Sequence, residues 1–163
     1  MVGTIGNLEP GKPEFPERLA QLHRNPLFRG IRYGNLWGND LGAELAKPEF
    51  LKGIGDLAAA QLVLDSANPT LKLLGEIRRL SDSVPTLRIV VDHLPGMPDP
   101  TEAKDKIAYN ELLSDLTDRK QIFFKVSAVL KRPGGNLESK HSFYKPKLDE
   151  MWQRFGEDRL IYG

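Results

Sequence analysis

Short apolar runs and longer stretches at helical spacing take turns along this chain. VGTIGNL (2–8), LFRGIRY (27–33), LVLD (62–65), TLRIVVDH (86–93), QIFFKVSAV (121–129) and RLIYG (159–163) are rich in branched and aromatic residues and predict strands. Between them, FPERLAQLHR (15–24), PEFLKGIGDLAAA (48–60), PTLKLLGEIRRLSDS (69–83), TEAKDKIAYNELLSDLTDR (101–119) and YKPKLDEMWQRFG (144–156) repeat apolar residues three and four apart and predict helices. Pro16 suits the first turn of the first helix, and Gly156 suits the position just past the last. Six strands alternating with five helices predict an α/β fold of parallel strands joined by right-handed crossovers. The strands are nearly continuous in apolar character, as expected when both faces are covered. The connections at 33–47 and 128–143 are long and rich in Gly, Asn and Lys, and such loops after strands carry the sites of α/β proteins.

This alternation suits a (β/α)8 TIM barrel, which takes about 250 residues. A chain of 163 residues has room for six units, so the expectation is one incomplete barrel domain over 1–163. The first strand starts at residue 2 without lead-in and the last runs to Gly163, which adds the expectation that both ends are cut. Unpaired barrel edges would then favour self-association into homo-oligomers.

Bulk composition narrows the partners. A formal net charge of +1 gives no case for nucleic acid or an anionic membrane. The absence of cysteine excludes disulfides and thiolate metal sites and fits a reducing, cytoplasmic setting. No apolar run is long enough to span a bilayer. A small-molecule substrate is the expected partner. No P-loop, GxGxxG, GxSxG or HExxH pattern is present.

In a parallel barrel the polar residues at strand C-terminal ends are the first candidates for chemistry. Here they are Arg32, Asp65, Asp92, His93, Lys125 and Ser127. Simple alternation groups His93 with Val91 and Ile89, and puts Asp92 on the other face. The expected inward set is Arg32, His93, Lys125 and Ser127, which could hold an anion and polarise a carbonyl. Asp92 and Asp65 are read as supporting residues, with Asp65 placed to cap the helix that follows it. Arg32 and Lys125 equally suit rim ion pairs with carboxylates. Trp37 sits in a loop over the mouth as a candidate substrate wall, while Trp152 reads as a packing residue.

FRGIRY (28–33), RIVVDHLPG (88–96), IFFKVSAV (122–129) and FGEDRLIYG (155–163) resemble, in order and spacing, the amidohydrolase-related family. The branch in question includes 2-pyrone-4,6-dicarboxylate lactonase and the sugar-lactone hydrolases. The resemblance implies a distorted (β/α)8 barrel and hydrolysis of an ester or lactone bond in a small carboxylated or sugar-acid substrate. It also implies that an upstream His-x-His strand, a second strand and a late Ser-Asp-Trp-Pro segment have no counterpart in this chain. By the same resemblance His93 is the catalytic residue and the one candidate metal ligand. Arg32, Lys125 and Ser127 then contact substrate, and a divalent metal such as zinc belongs to the complete enzyme. The rival reading is a non-catalytic α/β domain that binds a small anion or a partner chain.

Overall fold

The computed structural model describes residues 3–163. Six strands, β1 (Thr4–Gly6), β2 (Phe28–Arg32), β3 (Val63–Ser66), β4 (Arg88–Val91), β5 (Ile122–Val126) and β6 (Leu160–Tyr162), form one parallel sheet in the order β1-β2-β3-β4-β5-β6. Every strand pairs with the next strand in the chain. That order, with helical crossovers on one face, is the arrangement of a barrel rather than of a doubly wound sheet. Six consecutive strands of a (β/α) barrel, the first five each followed by a helix, are therefore present. The part of the first predicted strand at Val2 lies outside the described residues.

The helices are α1 (Phe15–His23), α2 (Leu41–Glu44), α3 (Pro48–Ala59), α4 (Leu71–Ser83), α5 (Ala103–Asp118) and α6 (His141–Phe155). All five predicted helices form. The structure adds α2, a single turn inside the 33–47 connection, capped by Asp40, whose side chain accepts from the Ala43 amide at 3.1 Å. Four residues are too few to show helical periodicity, so only the cap betrays it. Helix α6 starts at His141, three residues before its predicted start, and takes Pro146 within its second turn.

The core lies between the sheet and the helices. Ile31, Leu64, Ile89, Val91 and Phe124 present one face of the strands to it and are fully buried. Phe124 stacks on Phe155 of α6 with ring centroids 3.8 Å apart, and Tyr33 packs on Phe50 of α3. Trp152, expected to pack, instead stands 56% exposed on α6. Met151 and Phe155 are the residues of that turn that face inward. The opposite face of the sheet carries the site. Gly30 on that face is required by close approach, since a Cβ there would fall 2.1 Å from the Val63 carbonyl oxygen. Among the described residues no helix is long and apolar enough to cross a membrane.

Candidate functional site at the strand ends

Register decides which polar residues converge. Arg32 pairs with Asp65, Asp65 with Val90, and Val90 with Phe123 across successive strands. Residues in register on parallel strands point to the same side, and so do residues two apart on one strand. Arg32, Asp65, Asp92 and Lys125 thus share one face. The expectation that Asp92 points away from the others is corrected, and the set on this face contains both aspartates. Asp92 keeps the line of β4, because its amide still donates to the Ser66 carbonyl at 2.8 Å.

The four side chains close a ring of alternating charge. Arg32 Nε donates to Asp65 Oδ1 and Arg32 Nη2 to Asp92 Oδ2, both at 2.6 Å. Lys125 Nζ lies 3.0 Å from Asp65 Oδ2 and 2.5 Å from Asp92 Oδ1. Each carboxylate is held by both cations. The two aspartate side chains are only 2% exposed, while Arg32 and Lys125 keep 34% and 21% of theirs open. Buried carboxylates behind partly open cations leave the unused guanidinium and ammonium hydrogens facing outward.

The ring holds its two cations charged, while burial pushes the Asp92 carboxyl above its ordinary range. The hydrogen bond from Arg32 to Asp65 raises its guanidinium further above its already high range, against the cost of burial. For Lys125 burial opposes the charge, but the hydrogen bonds to Asp92 and Asp65 outweigh it, and its pKa rises. Lys125 is therefore held as a cation and cannot act as a base or an amine nucleophile near neutral pH. The rim ion pairing that the sequence allowed for these two residues is present. Asp65 does not cap α4. That task falls to Thr70, whose hydroxyl accepts from the Leu73 amide at 3.1 Å.

His93 reaches the site by a different route. Alternation would send it to the core side with Val91, but its φ of 63° turns the chain out of the strand. The Gly96 amide then donates to the His93 carbonyl at 2.8 Å, closing the turn of Leu94–Gly96. His93 Nδ1 lies 2.8 Å from Ser127 Oγ, just past the end of β5. The half-exposed imidazole lines a cleft of about 390 Å³ with Asn68, Pro69, Thr70, Gly96, Met97, Pro98 and Ala128. No side chain of that lining other than His93 is ionisable.

Two residues that sequence reasoning missed hold the loop after β2. Asn35 Oδ1 accepts from the Leu41 amide at 2.8 Å, and Asn35 Nδ2 donates to the buried Glu76 at 2.6 Å. Glu76 occupies the apolar face of α4, beside Leu73, Ile77 and Leu80. A carboxylate at a core position was the signal available. Trp37, in the same loop, is 66% exposed at a φ of 54° and lines a separate cleft of about 200 Å³ with Asn7, Tyr33 and Arg18.

A catalytic metal centre needs about three converging donors. Among the described residues no group of three His, Cys, Asp or Glu side chains could hold a metal ion. Asp65 and Asp92 are taken up by Arg32 and Lys125, which leaves His93 as a lone donor. The described residues do not by themselves fit a metal.

A search of the curated proteins returns no match. Among solved structures the chain is similar to an amidohydrolase from Burkholderia multivorans with bound zinc, at 21% identity and a TM-score of 0.78 over 100% of this chain and 58% of that one. It is similar to a candidate 2-pyrone-4,6-dicarboxylic acid hydrolase from Pseudomonas putida, at 24% identity and a TM-score of 0.72 over 99% of this chain and 55% of that one. A candidate hydrolase of the same kind from Acinetobacter baumannii, with citric acid bound, matches at 21% identity and a TM-score of 0.72 over 99% of this chain and 56% of that one. This chain thus spans a little over half the length of these structures, whose likeness confirms the partial barrel. The amidohydrolase family model matches residues 1–163, and the chain belongs to that family.

Proposed function

We propose that this chain supplies part of the active site of a hydrolase that opens an ester or lactone bond of a small substrate. One observation carries the reading: Arg32, His93 and Lys125 lie at or just past the C-terminal ends of β2, β4 and β5 of one parallel sheet, each hydrogen-bonded to a named partner. This is where barrel enzymes place their chemistry. Family membership and the pyrone-dicarboxylic acid hydrolases among the similar structures support a carbon–oxygen bond as the target.

Each residue has a definable task. His93 has Nδ1 engaged by Ser127 and Nε2 left for a ligand, which suits it to meet the carbonyl oxygen. Arg32 retains guanidinium hydrogens beyond those given to Asp65 and Asp92, and Lys125 retains one ammonium hydrogen. These outward donors suit a carboxylate or hydroxyl of a sugar-acid substrate. The ring has no net charge, so it orients a substrate group more than it attracts an anion from solution. The citric acid in the A. baumannii structure is consistent with a carboxylated ligand in a barrel of this kind.

A second reading, ligand binding without turnover, is favoured by a specific feature. Both carboxylates of the site are 2% exposed and paired with Arg32 and Lys125, so neither stands open to an attacking water. A lactone panel with sugar-acid and dicarboxylate members, run on the whole enzyme of which this chain is proposed to form part, separates the two readings. Hydrolysis that falls at least about tenfold in kcat/KM in His93→Ala supports the first. A thermal shift with the same ligands and no product supports the second.

A further inference from the structure

Two non-glycine residues at the ends of neighbouring strands adopt left-handed backbone, His93 at φ 63° and Ala128 at φ 50°. That conformation is costly for residues with a Cβ and persists where the surroundings impose it. The two segments are also unusually close. A Cβ on Gly96 would lie 2.9 Å from the Ala128 carbonyl oxygen and 3.3 Å from its Cβ. Two side-chain contacts cross this junction: a 2.8 Å hydrogen bond between Ser127 Oγ and His93 Nδ1, and one from Lys131 Nζ to the Gly96 carbonyl at 2.5 Å. The imidazole is thus held next to a left-handed residue on each of the two segments.

The direction of that bond follows from the hydroxyl. Ser127 is 8% exposed, and among the described residues His93 is the partner in hydrogen-bond geometry with its Oγ. If Nδ1 carried the proton and donated to Oγ, the hydroxyl hydrogen would be left without an acceptor. A stranded buried donor costs more than an unfilled lone pair on the same oxygen. We infer that Ser127 is a positioning residue for His93: its hydroxyl donates to Nδ1 and so fixes the tautomer that carries its proton on Nε2. His93 then presents an N–H to the cleft it lines, a donor shaped for a carbonyl or oxyanion. It does not present the lone pair that a metal or a base would need. This moves Ser127 from contacting substrate to orienting the residue that does. It rests on the proposed role of His93 for its functional meaning, but not for its test.

The test is a long-range proton–nitrogen correlation spectrum of the ¹⁵N-labelled protein, recorded at a pH of about 8 or above, where imidazole is neutral. His23 and His141, both exposed, are the other histidines and give the solvated tautomer ratio in the same tube. His93→Gln assigns the third signal. The expected spectrum shows His93 with Nε2 protonated and a ratio about fivefold further in that direction than His23 and His141, the size that one ordinary net hydrogen bond supports. Ser127→Ala brings His93 to the ratio of the other two, and Ser127→Thr restores the bias. A wild-type His93 with the proton on Nδ1, or with the ratio of His23 and His141, overturns the inference even if Ser127→Ala fails to fold. An unchanged ratio in a folded Ser127→Ala overturns it as well. Because no substrate enters, a failed lactone assay alongside the expected spectrum would sink the hydrolase reading and leave Ser127's role intact.

Discussion

The Arg32–Asp65–Asp92–Lys125 ring and the His93–Ser127 pair sit side by side but are built in opposite ways. The ring is set by register: four side chains on consecutive strands fall on one face, and charge alternation closes them. The pair is set by departures from register, one left-handed residue at His93 and another at Ala128. The ring is buried and multiply held, whereas the pair stands on a single hydrogen bond over strained backbone. This site thus separates a group held by register from a group held by turns that leave the strands. The ring is a cluster of paired charges, and the group offered to a ligand is mounted on backbone conformations that stability alone would not select.

Substitutions sharpen that contrast, and the largest effect is expected in the ring. Asp65→Ala leaves Arg32 and Lys125 with one carboxylate between them and should lower unfolding stability by about 3 kcal/mol, somewhat less than a fully buried pair because the cations are partly open. Urea unfolding measures it, and a loss under about 1 kcal/mol would remove the ring from the scaffold. Gly30→Ala on the same face should cost roughly 1–3 kcal/mol through the clash with the Val63 carbonyl. The pair should respond with the reverse sign. Ala128→Gly relieves the left-handed strain and should leave stability unchanged or raise it by about 0.5 kcal/mol, where a residue in ordinary backbone would lose stability. A loss above about 1 kcal/mol in Ala128→Gly would mean that its backbone is not strained.

A further effect is confined to alkaline pH. Burial, with smaller contributions from Glu44 and Glu9, pushes the Tyr33 phenol up to about 12 from its ordinary 10.0. A pKa raised on folding gives stability that is fully present below pH 10 and is lost as pH rises towards 12. Alkaline unfolding of the wild type should therefore contain a component that Tyr33→Phe removes. Identical slopes for the two proteins would contradict it.

Much of the fold was legible because alternation between strand and helix depends on residue spacing, which the chain displays openly. Ile31, Leu64, Ile89 and Phe124 fell on strands and into the core as their apolar runs predicted. The six polar positions at strand ends were legible for the same reason. Their grouping was not. Arg32, Asp65 and Lys125 converge through inter-strand register, which no single strand reveals. Asp92 was sent to the wrong face because alternation was carried through His93, where the strand has already ended. A left-handed residue breaks the period of two without leaving a mark in side-chain type. His93 precedes Leu-Pro-Gly, and that Pro-Gly turn was the nearest available warning. Trp152 misled for a related reason: helical spacing identifies a stripe but not its edges, and the side chain falls just outside it.

The most direct measurement of the central claim is hydrolysis of a lactone and ester panel by the whole enzyme of which this chain is proposed to form part, and by its His93→Gln variant, with release of acid followed in time. The account predicts turnover of at least one sugar-acid or dicarboxylate lactone, and a loss of about tenfold or more in kcat/KM in the variant. Equal rates in the two proteins, or tight binding of the same ligands without product, would contradict the assignment of His93 to a hydrolytic site.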